Sequence, residues 1–113
     1  MEVSLIGEKR ALLVKVTGEL DHHMAEKIKT AVDDKMRSTN AVNIIFDFSE
    51  LIFMDSSGIG MIMGRYKIAR TLGGRVVLFG VNAVVMRIME MSGVDKIIKL
   101  VPNFEKAIRV LDK

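Results

Sequence analysis

The sequence predicts an α/β fold: one domain with a mixed, mostly parallel sheet of about four to five strands and helices packed against it. Two observations support this prediction. Two short apolar segments near the N-terminus predict a β-hairpin, and after them segments of helical period alternate with apolar runs typical of strands. The chain has 113 residues, half of them hydrophobic, which is enough for one hydrophobic core. We therefore expect a single domain over residues 1–113.

The N-terminal third contains the predicted hairpin and the first helix. Val3, Leu5 and Ile6 form an apolar run, and residues 11–18 form a second one after a charged turn. Asp21 is the expected N-cap of a helix over about residues 23–37, because its carboxylate can accept a hydrogen bond from a free backbone N–H. Apolar residues recur at helical spacing there, at Met24, Ile28, Ala31, Val32 and Met36.

The middle of the chain contains the predicted central strand. Residues 42–48 are almost continuously apolar, as expected of a strand that is buried on both faces. Residues 49–52 are expected to be a short connector before the next helix. The inward face of that helix is predicted to carry Ile59, Ile62, Met63, Tyr66 and Ala69.

The C-terminal third repeats the alternation. Residues 75–80 predict another buried strand, and residues 96–100 a short edge strand. Between them Asn82 is the expected N-cap of a helix that ends at Gly93. Its predicted inward residues are Val84, Val85, Ile88 and Met89, and those of the last helix are Phe104, Ala107, Ile108 and Leu111.

The residue composition argues against metal, thiol and redox chemistry. The sequence has no cysteine, which excludes disulfides, a thiol nucleophile and cysteine-bound metal. His22 and His23 are adjacent, and neighbouring residues do not share a helix face, so a site with both as metal ligands is disfavoured. We expect them to be surface residues in a polar loop, and we expect no metal and no cofactor.

The motifs of several enzyme classes are absent. Gly58 and Gly60 are followed by Met63 where a dinucleotide-binding loop needs glycine, and the sequence has no P-loop. Neither Ser56 nor Ser57 has a glycine two residues before it, as a hydrolase nucleophile would. We therefore predict that the protein is not an enzyme. A small nucleotide-binding or nucleotide-hydrolysing protein stays as an alternative, supported only by the glycine-rich start of the helix.

Charge and hydropathy argue against nucleic-acid and membrane partners. The net charge is only +3, and no block of like charges provides the basic surface that nucleic acid requires. The longest apolar run, residues 76–86, is interrupted by Asn82 and is shorter than the roughly 20 residues of a membrane span. The N-terminus lacks the pattern of a signal peptide. We expect a cytoplasmic protein, with a basic nucleic-acid binder as a weaker alternative.

The segment Phe-Met-Asp-Ser-Ser-Gly-Ile-Gly, residues 53–60, stands where an apolar strand ends and a helix begins. A serine at this position ordinarily caps the helix. The alternative is that Ser56 is a modified switch residue, because the N-terminus of a helix tolerates a phosphate. Phosphorylation would add about −1.5 to −2 charges beside Asp55, and beside Asp21 if the first helix packs nearby.

Two glycines inside the same helix indicate a close approach. Gly60 and Gly64 are one turn apart and lie off the predicted inward face. Glycine in a helix interior costs up to about 1 kcal/mol relative to alanine. Either the protein's own backbone or a partner is therefore expected to come close to them. Met61 is the expected exposed apolar contact for a partner.

Four segments together resemble a known family. Gly-Glu-Leu-Asp-His-His at 18–23, the 53–60 segment, Gly-Arg-Tyr-Lys at 64–67 and Met-Ser-Gly at 91–93 resemble anti-sigma factor antagonists of the STAS domain family. The resemblance extends over essentially the whole chain, and none of these segments departs from the family pattern. The segments at 18–23 and 64–67 are most similar to the sporulation branch, the antagonists of the anti-sigma-F factor.

This resemblance implies a regulatory cycle. The unmodified antagonist binds the anti-sigma-F factor, a serine kinase, and displaces sigma-F, which then directs transcription. The kinase phosphorylates the serine after the aspartate, here Ser56 rather than Ser57, and a serine phosphatase reverses the modification. The alternative is a STAS antagonist of another anti-sigma or stress-signalling circuit. The free protein is expected to be a monomer, and the expected partner-binding residues are Asp21, Asp55, Ser57, Gly60, Met61 and Gly64.

Overall fold

A computed structural model describes residues 1–112 of the chain. The strands are β1 (Glu2–Ile6), β2 (Ala11–Leu20), β3 (Asn43–Met54), β4 (Val76–Phe79) and β5 (Lys99–Val101). The helices are α1 (His22–Ser38), α2 (Ser56–Thr71), α3 (Ala83–Ser92) and α4 (Phe104–Leu111). Short 3-10 turns lie at Gly7–Lys9 and Val94–Lys96.

The five strands form one mixed sheet in the order β1-β2-β3-β4-β5. β1 pairs antiparallel with β2, and the other neighbours are parallel. The N-terminal hairpin and the mostly parallel sheet are therefore confirmed. Parallel strands end at the same edge of a sheet, so this topology collects the segments that follow β2, β3 and β4 at one end.

The two faces of the sheet are covered unequally. Ile44, Phe46 and Phe48 of β3 point into the larger core, where α1, α2 and α3 pack. Ile45 and Val77 point to the other face and contact Ala107 of α4. Successive side chains of a strand alternate between faces, so the continuous apolar run that begins at residue 42 supplies both cores.

β3 is longer than the sequence predicts. The expected connector at 49–52 is the second half of this strand, and it pairs with β2 through two register shifts. The pairing brings Leu20 opposite Met54, so β2 and β3 end side by side. β4 stops at Phe79, opposite Asp47, and the Asn82 side chain instead donates a hydrogen bond of 3.0 Å to the Leu51 carbonyl.

The buried face of α2 differs from the predicted one. Ile62 and Ala69 are buried as expected, whereas Ile59, Met63 and Tyr66 are only half-buried against the core. The helix instead also buries Gly58, Met61 and Arg65. The reason is that α2 packs against α1 as well as against the sheet, so its buried face is wider than one stripe.

The last two helices bury less than predicted. Val85 and Met89 of α3 are buried, but Val84 is exposed because the short helix contacts the sheet along one side only. In α4 Ala107 is buried, whereas Phe104 rests edge-on against Phe79 and stays partly exposed. Among residues 1–112, no helix is long and apolar enough to cross a membrane.

Candidate functional site

Two capping carboxylates meet where β2 and β3 end. The Asp55 amide donates a hydrogen bond of 3.2 Å to the Leu20 carbonyl, which ties the two strand ends together. Asp21 caps α1 by accepting from the Met24 amide at 2.9 Å, as predicted. Asp55 caps α2 by accepting from the Ser57 amide at 2.8 Å. Two aspartates therefore stand at neighbouring helix N-termini, where the helix dipole stabilises negative charge.

The cap of α2 is made by Asp55 and not by a serine. Ser56 is the first residue of α2, and its side chain is exposed. Ser57 is half-buried, and the Gly58 amide donates to the Asp55 carbonyl at 3.1 Å. The expectation that a serine hydroxyl caps the helix is wrong, because Asp55 already takes the first amide donors. The Ser56 hydroxyl therefore does not cap the helix, and it is exposed to solvent.

A groove of about 300 Å³ separates α1 from α2. It brings together four of the predicted partner-binding residues, namely Ser57, Gly60, Met61 and Gly64. The α1 side of the groove is formed by His22, Ala25, Glu26 and Lys29. The groove reaches the first turns of both helices, next to Asp21 and Ser56.

The two helix glycines face open space. A Cβ atom built on Gly60 or on Gly64 would meet no atom within 4 Å. Close packing by the protein's own backbone is therefore wrong as an explanation of these two residues. Gly58 is the glycine that packs tightly, since its Cβ would lie 3.2 Å from Cδ2 of Leu20 and from Cβ of Met54. The space beside Gly60 and Gly64 is accessible to another molecule.

Met61 does not provide the exposed apolar contact that the sequence predicts. It is only 5% exposed, because it lies on the side of α2 that faces α1. The exposed apolar side chains beside the motif are instead Ile52 and Phe53, at 66% and 42% exposure. Both belong to the unexpected second half of β3, and a prediction of a connector there could not reveal them.

A buried ion pair connects the two helices of the groove. Arg65 Nε of α2 lies 2.9 Å from an Asp33 carboxylate oxygen of α1, and the two side chains are 6% and 19% exposed. Arg65 lies in the 64–67 segment, but no role for it was predicted from the sequence. The available signal was its position four residues after Met61, on the same side of the helix.

The residues on the α1 side of the groove were also not predicted from the sequence. His22, Glu26 and Lys29 are spaced at i, i+4 and i+7, which places them on one helix face once Asp21 is known to be the cap. The two histidines lie in the first turn of α1 rather than in a loop, and both are exposed. Within residues 1–112, no group of three or more potential metal ligands comes together.

Comparison with known proteins agrees with this geometry. A model of the STAS domain matches residues 2–107. The chain belongs to the STAS domain family. An anti-sigma F factor antagonist of Paenibacillus polymyxa is 33% identical over 112 residues, with 99% of this chain and 96% of that protein covered. Similarity of this extent groups the chain with the anti-sigma factor antagonists of the STAS family.

Other relatives show the same relationship. An anti-sigma-B factor antagonist of Listeria monocytogenes is 32% identical over 85 residues, with 75% of this chain and 74% of that protein covered. The structure of the antagonist SpoIIAA in its unphosphorylated form matches with a TM-score of 0.77 at 26% identity, covering 98% of this chain and 96% of that one. The phosphorylated form of the Bacillus cell fate determinant SpoIIAA matches with a TM-score of 0.75 at 27% identity, covering 96% and 97%.

Proposed function

We propose that this STAS domain is an anti-sigma factor antagonist switched by phosphorylation of Ser56. In this proposal the unmodified protein binds the anti-sigma-F factor, a serine kinase, in the cytoplasm and so releases sigma-F for sporulation transcription. The kinase inactivates the antagonist by phosphorylating Ser56, and a serine phosphatase restores it. The observation that carries the proposal is the exposed Ser56 at the start of α2, directly after the capping Asp55 and before Ser57, which lines the open groove.

Ser56 is a better acceptor than Ser57. A kinase must bring the hydroxyl to the γ-phosphate of ATP, and the Ser56 side chain is exposed at the first position of α2. Ser57 is half-buried and lines the groove, and its amide is held by Asp55. Modification of Ser57 would therefore displace groove contacts, whereas modification of Ser56 would not.

A phosphate on Ser56 would find few free amide donors in the first turn of α2. The amides of Ser57 and Gly58, which could otherwise bind it, already donate to Asp55. The phosphate would add about −1.5 to −2 charges next to the Asp21 and Asp55 carboxylates. Like charge that is desolvated at an interface costs several kcal/mol, and about 1.4 kcal/mol is a tenfold loss of affinity. Binding can thus be lost without a change of fold.

The docking surface in this proposal combines the groove with the end of β3. Gly60 and Gly64 leave room for close approach along α2. Ile52 and Phe53 supply exposed apolar area next to Ser56, the role that the sequence analysis gave to Met61. Apolar residues beside a polar groove are typical of protein interfaces, which have an apolar centre and a polar rim.

The test is phosphorylation and binding with purified kinase. We expect incubation with the anti-sigma-F factor and ATP to yield one phosphate, mapped by mass spectrometry to Ser56. Ser56→Ala should bind the kinase without being modified, Ser57→Ala should still be modified, and Ser56→Asp should bind about tenfold or more weakly by calorimetry. A phosphate on Ser57, or equal affinity of Ser56→Asp and the unsubstituted protein, would contradict the proposal.

The second candidate is the same switch in another circuit. Similarity to the Listeria anti-sigma-B factor antagonist at 32% identity favours it as the alternative partner class. Running the assay in parallel with an anti-sigma-B factor separates the two. Tighter binding to the anti-sigma-F factor supports the sporulation circuit, and tighter binding to the anti-sigma-B factor assigns the protein to the stress circuit.

A further inference from the structure

A second concave site lies at the opposite end of the sheet from Ser56. It is a cavity of about 430 Å³ between the second half of α2, the N-terminal ends of β4 and β5, and α4. Three cationic side chains line it, Arg70, Arg75 and Lys99, together with apolar walls from Val76, Ile97 and Val110. We call it the basic pocket. Its volume is within the range of small-molecule sites.

Within residues 1–112, the cations of the basic pocket have no anionic side chain as an ion-pair partner. They come from α2, from the segment before β4 and from β5, and no carboxylate lines the cavity. Among residues 1–112, none of the three forms an ion pair, whereas Lys9 and Lys15 pair with Asp112 at 2.6 Å and Glu50 at 2.8 Å. The pKa of Lys15 is raised by its hydrogen bond to Glu50, and that of Lys9 by its hydrogen bond to Asp112.

The two groups of cations differ in their surroundings. Lys9 and Lys15 are neutralised by the protein itself, but the basic pocket concentrates three like charges around one cavity. Arg75 also borders a neighbouring pocket that contains Glu8 and Asp112, while Arg70 and Lys99 line the basic pocket. Like charges repel one another, so an anion in the basic pocket would relieve their repulsion.

Two of the cationic groups are held in place. The Arg75 amide donates to the Asn43 side-chain oxygen at 2.8 Å, and Arg75 Nη1 donates to the Val110 carbonyl at 3.1 Å. Arg70 Nη1 donates to the Tyr66 hydroxyl at 3.3 Å. The Asn43 contact fixes the Arg75 backbone, and the two Nη1 contacts orient the guanidinium groups. Each guanidinium carries five N–H donors, so other donors remain for a ligand. Guanidinium groups match phosphate oxygens in bidentate geometry.

We propose that the basic pocket binds a small phosphate-bearing anion with two or more negative charges. A concave cavity with apolar walls fits a compact ligand rather than a membrane surface or a nucleic-acid backbone, which favour extended basic faces. The site is separate from the proposed switch, because Arg75 precedes β4 and Lys99 begins β5, while Ser56 follows the other end of β3. Binding there therefore does not depend on the function proposed for Ser56.

Titration with inorganic pyrophosphate tests this site. We expect backbone NMR resonances of Arg70, Arg75 and Lys99 to shift at constant ionic strength, with orthophosphate binding more weakly. By calorimetry, Arg70→Gln and Lys99→Gln should each weaken pyrophosphate binding by about tenfold or more, since each removes a charge-assisted contact. Arg87→Gln is the matched control, because Arg87 is an exposed arginine on α3 outside the pocket. Its affinity for pyrophosphate should not change.

Three results would overturn the proposal. These are no NMR shift with pyrophosphate, shifts scattered over all basic residues, or an equal loss of affinity in Arg87→Gln, which would mean non-specific attraction. The melting temperature without ligand shows whether each variant folds, and pyrophosphate should raise it for the unsubstituted protein more than for Arg70→Gln. Ser56→Asp should bind pyrophosphate with unchanged affinity, which separates this result from the phosphorylation experiment.

Discussion

At the scale of single residues, Asp55 caps α2 and Ser56 is left exposed. The sequence alone does not show which of the two residues caps the helix. The Asp55 carboxylate accepts from the amide of Ser57, the second residue of α2, at 2.8 Å, so the helix is capped without a serine hydroxyl. Ser56 is thereby exposed at the helix start, as the proposed phosphorylation requires. Modification of Ser56 can then change the charge of the surface while the cap keeps the helix start in place.

Two substitutions of Asp55 separate the effect of its hydrogen bond from the effect of its charge. Asp55→Ala should lower the free energy of unfolding by about 1 kcal/mol, because the Ser57 amide loses its acceptor. Asp55→Asn keeps an acceptor oxygen, so it should lower the free energy of unfolding by only a few tenths of that amount. Urea denaturation monitored by circular dichroism measures both. An equal loss for the alanine and asparagine variants would show that the charge, and not the hydrogen bond, stabilises this end of α2.

At the scale of secondary-structure elements, α2 has three different sides. Gly58 and Ile62 are buried against the core, Met61 and Arg65 are buried towards α1, and Gly60 and Gly64 border the open part of the groove. The first two sides are occupied by packing within the protein itself. The remaining open side next to Ser56 is the part of α2 that a partner can contact.

Alanine at the two open glycines should affect stability and binding in opposite directions. Gly60→Ala and Gly64→Ala should each raise the free energy of unfolding by up to about 1 kcal/mol, since alanine favours helix and no atom is displaced. The same methyl groups should weaken binding of the anti-sigma factor by filling the space for close approach. Denaturant titration and calorimetry measure the two effects.

A third glycine is the matched control for that experiment. A Cβ on Gly74 would lie 1.7 Å from the Val42 carbonyl oxygen. Gly74→Ala should therefore lower the free energy of unfolding by about 1–3 kcal/mol. It lies outside the groove between α1 and α2, so any folded fraction should bind the anti-sigma factor normally. Unchanged binding by both Gly60→Ala and Gly64→Ala would exclude this side of α2 from the interface.

At the scale of the whole molecule, the two ends of the sheet carry different chemistry. The C-terminal ends of β2 and β3 lead into the Asp21 and Asp55 caps, and the N-terminal ends of β4 and β5 carry the basic pocket. The buried Asp33–Arg65 pair joins α1 to α2 between these ends. This pair links the two walls of the groove.

The effect of the ion pair on stability depends on whether one partner or both are replaced. Arg65→Met should cost about 2–4 kcal/mol, because it leaves the mostly buried Asp33 carboxylate without its cation. The double variant with Asp33→Leu should come within about 1 kcal/mol of the unsubstituted protein, since an apolar pair replaces both charges. Urea denaturation of the four proteins completes the cycle. A double variant as unstable as Arg65→Met would mean that packing, rather than charge, is lost.

Local patterns predicted most of the architecture and the position of Ser56 at the start of α2. The hairpin followed from the apolar segments that flank a charged turn, and Asp21 and Asn82 were identified as caps from their positions before periodic segments. The errors lie where tertiary contacts override a local pattern. Residues 49–52 look like a connector, but β2 is long enough to pair with them, and this pairing exposes Ile52 and Phe53.

The sequence by itself determined the order of strands and helices, the family resemblance and the serine at the helix start, because these depend on neighbouring residues and short spacings. Only the tertiary structure decided that Met61 is buried, that Arg65 meets Asp33, and that Gly60 and Gly64 border an open groove. These features depend on how α1 lies beside α2, and residues 32 positions apart leave no local periodic signal of their contact. The charged basic pocket is likewise a product of three elements that meet only in the fold.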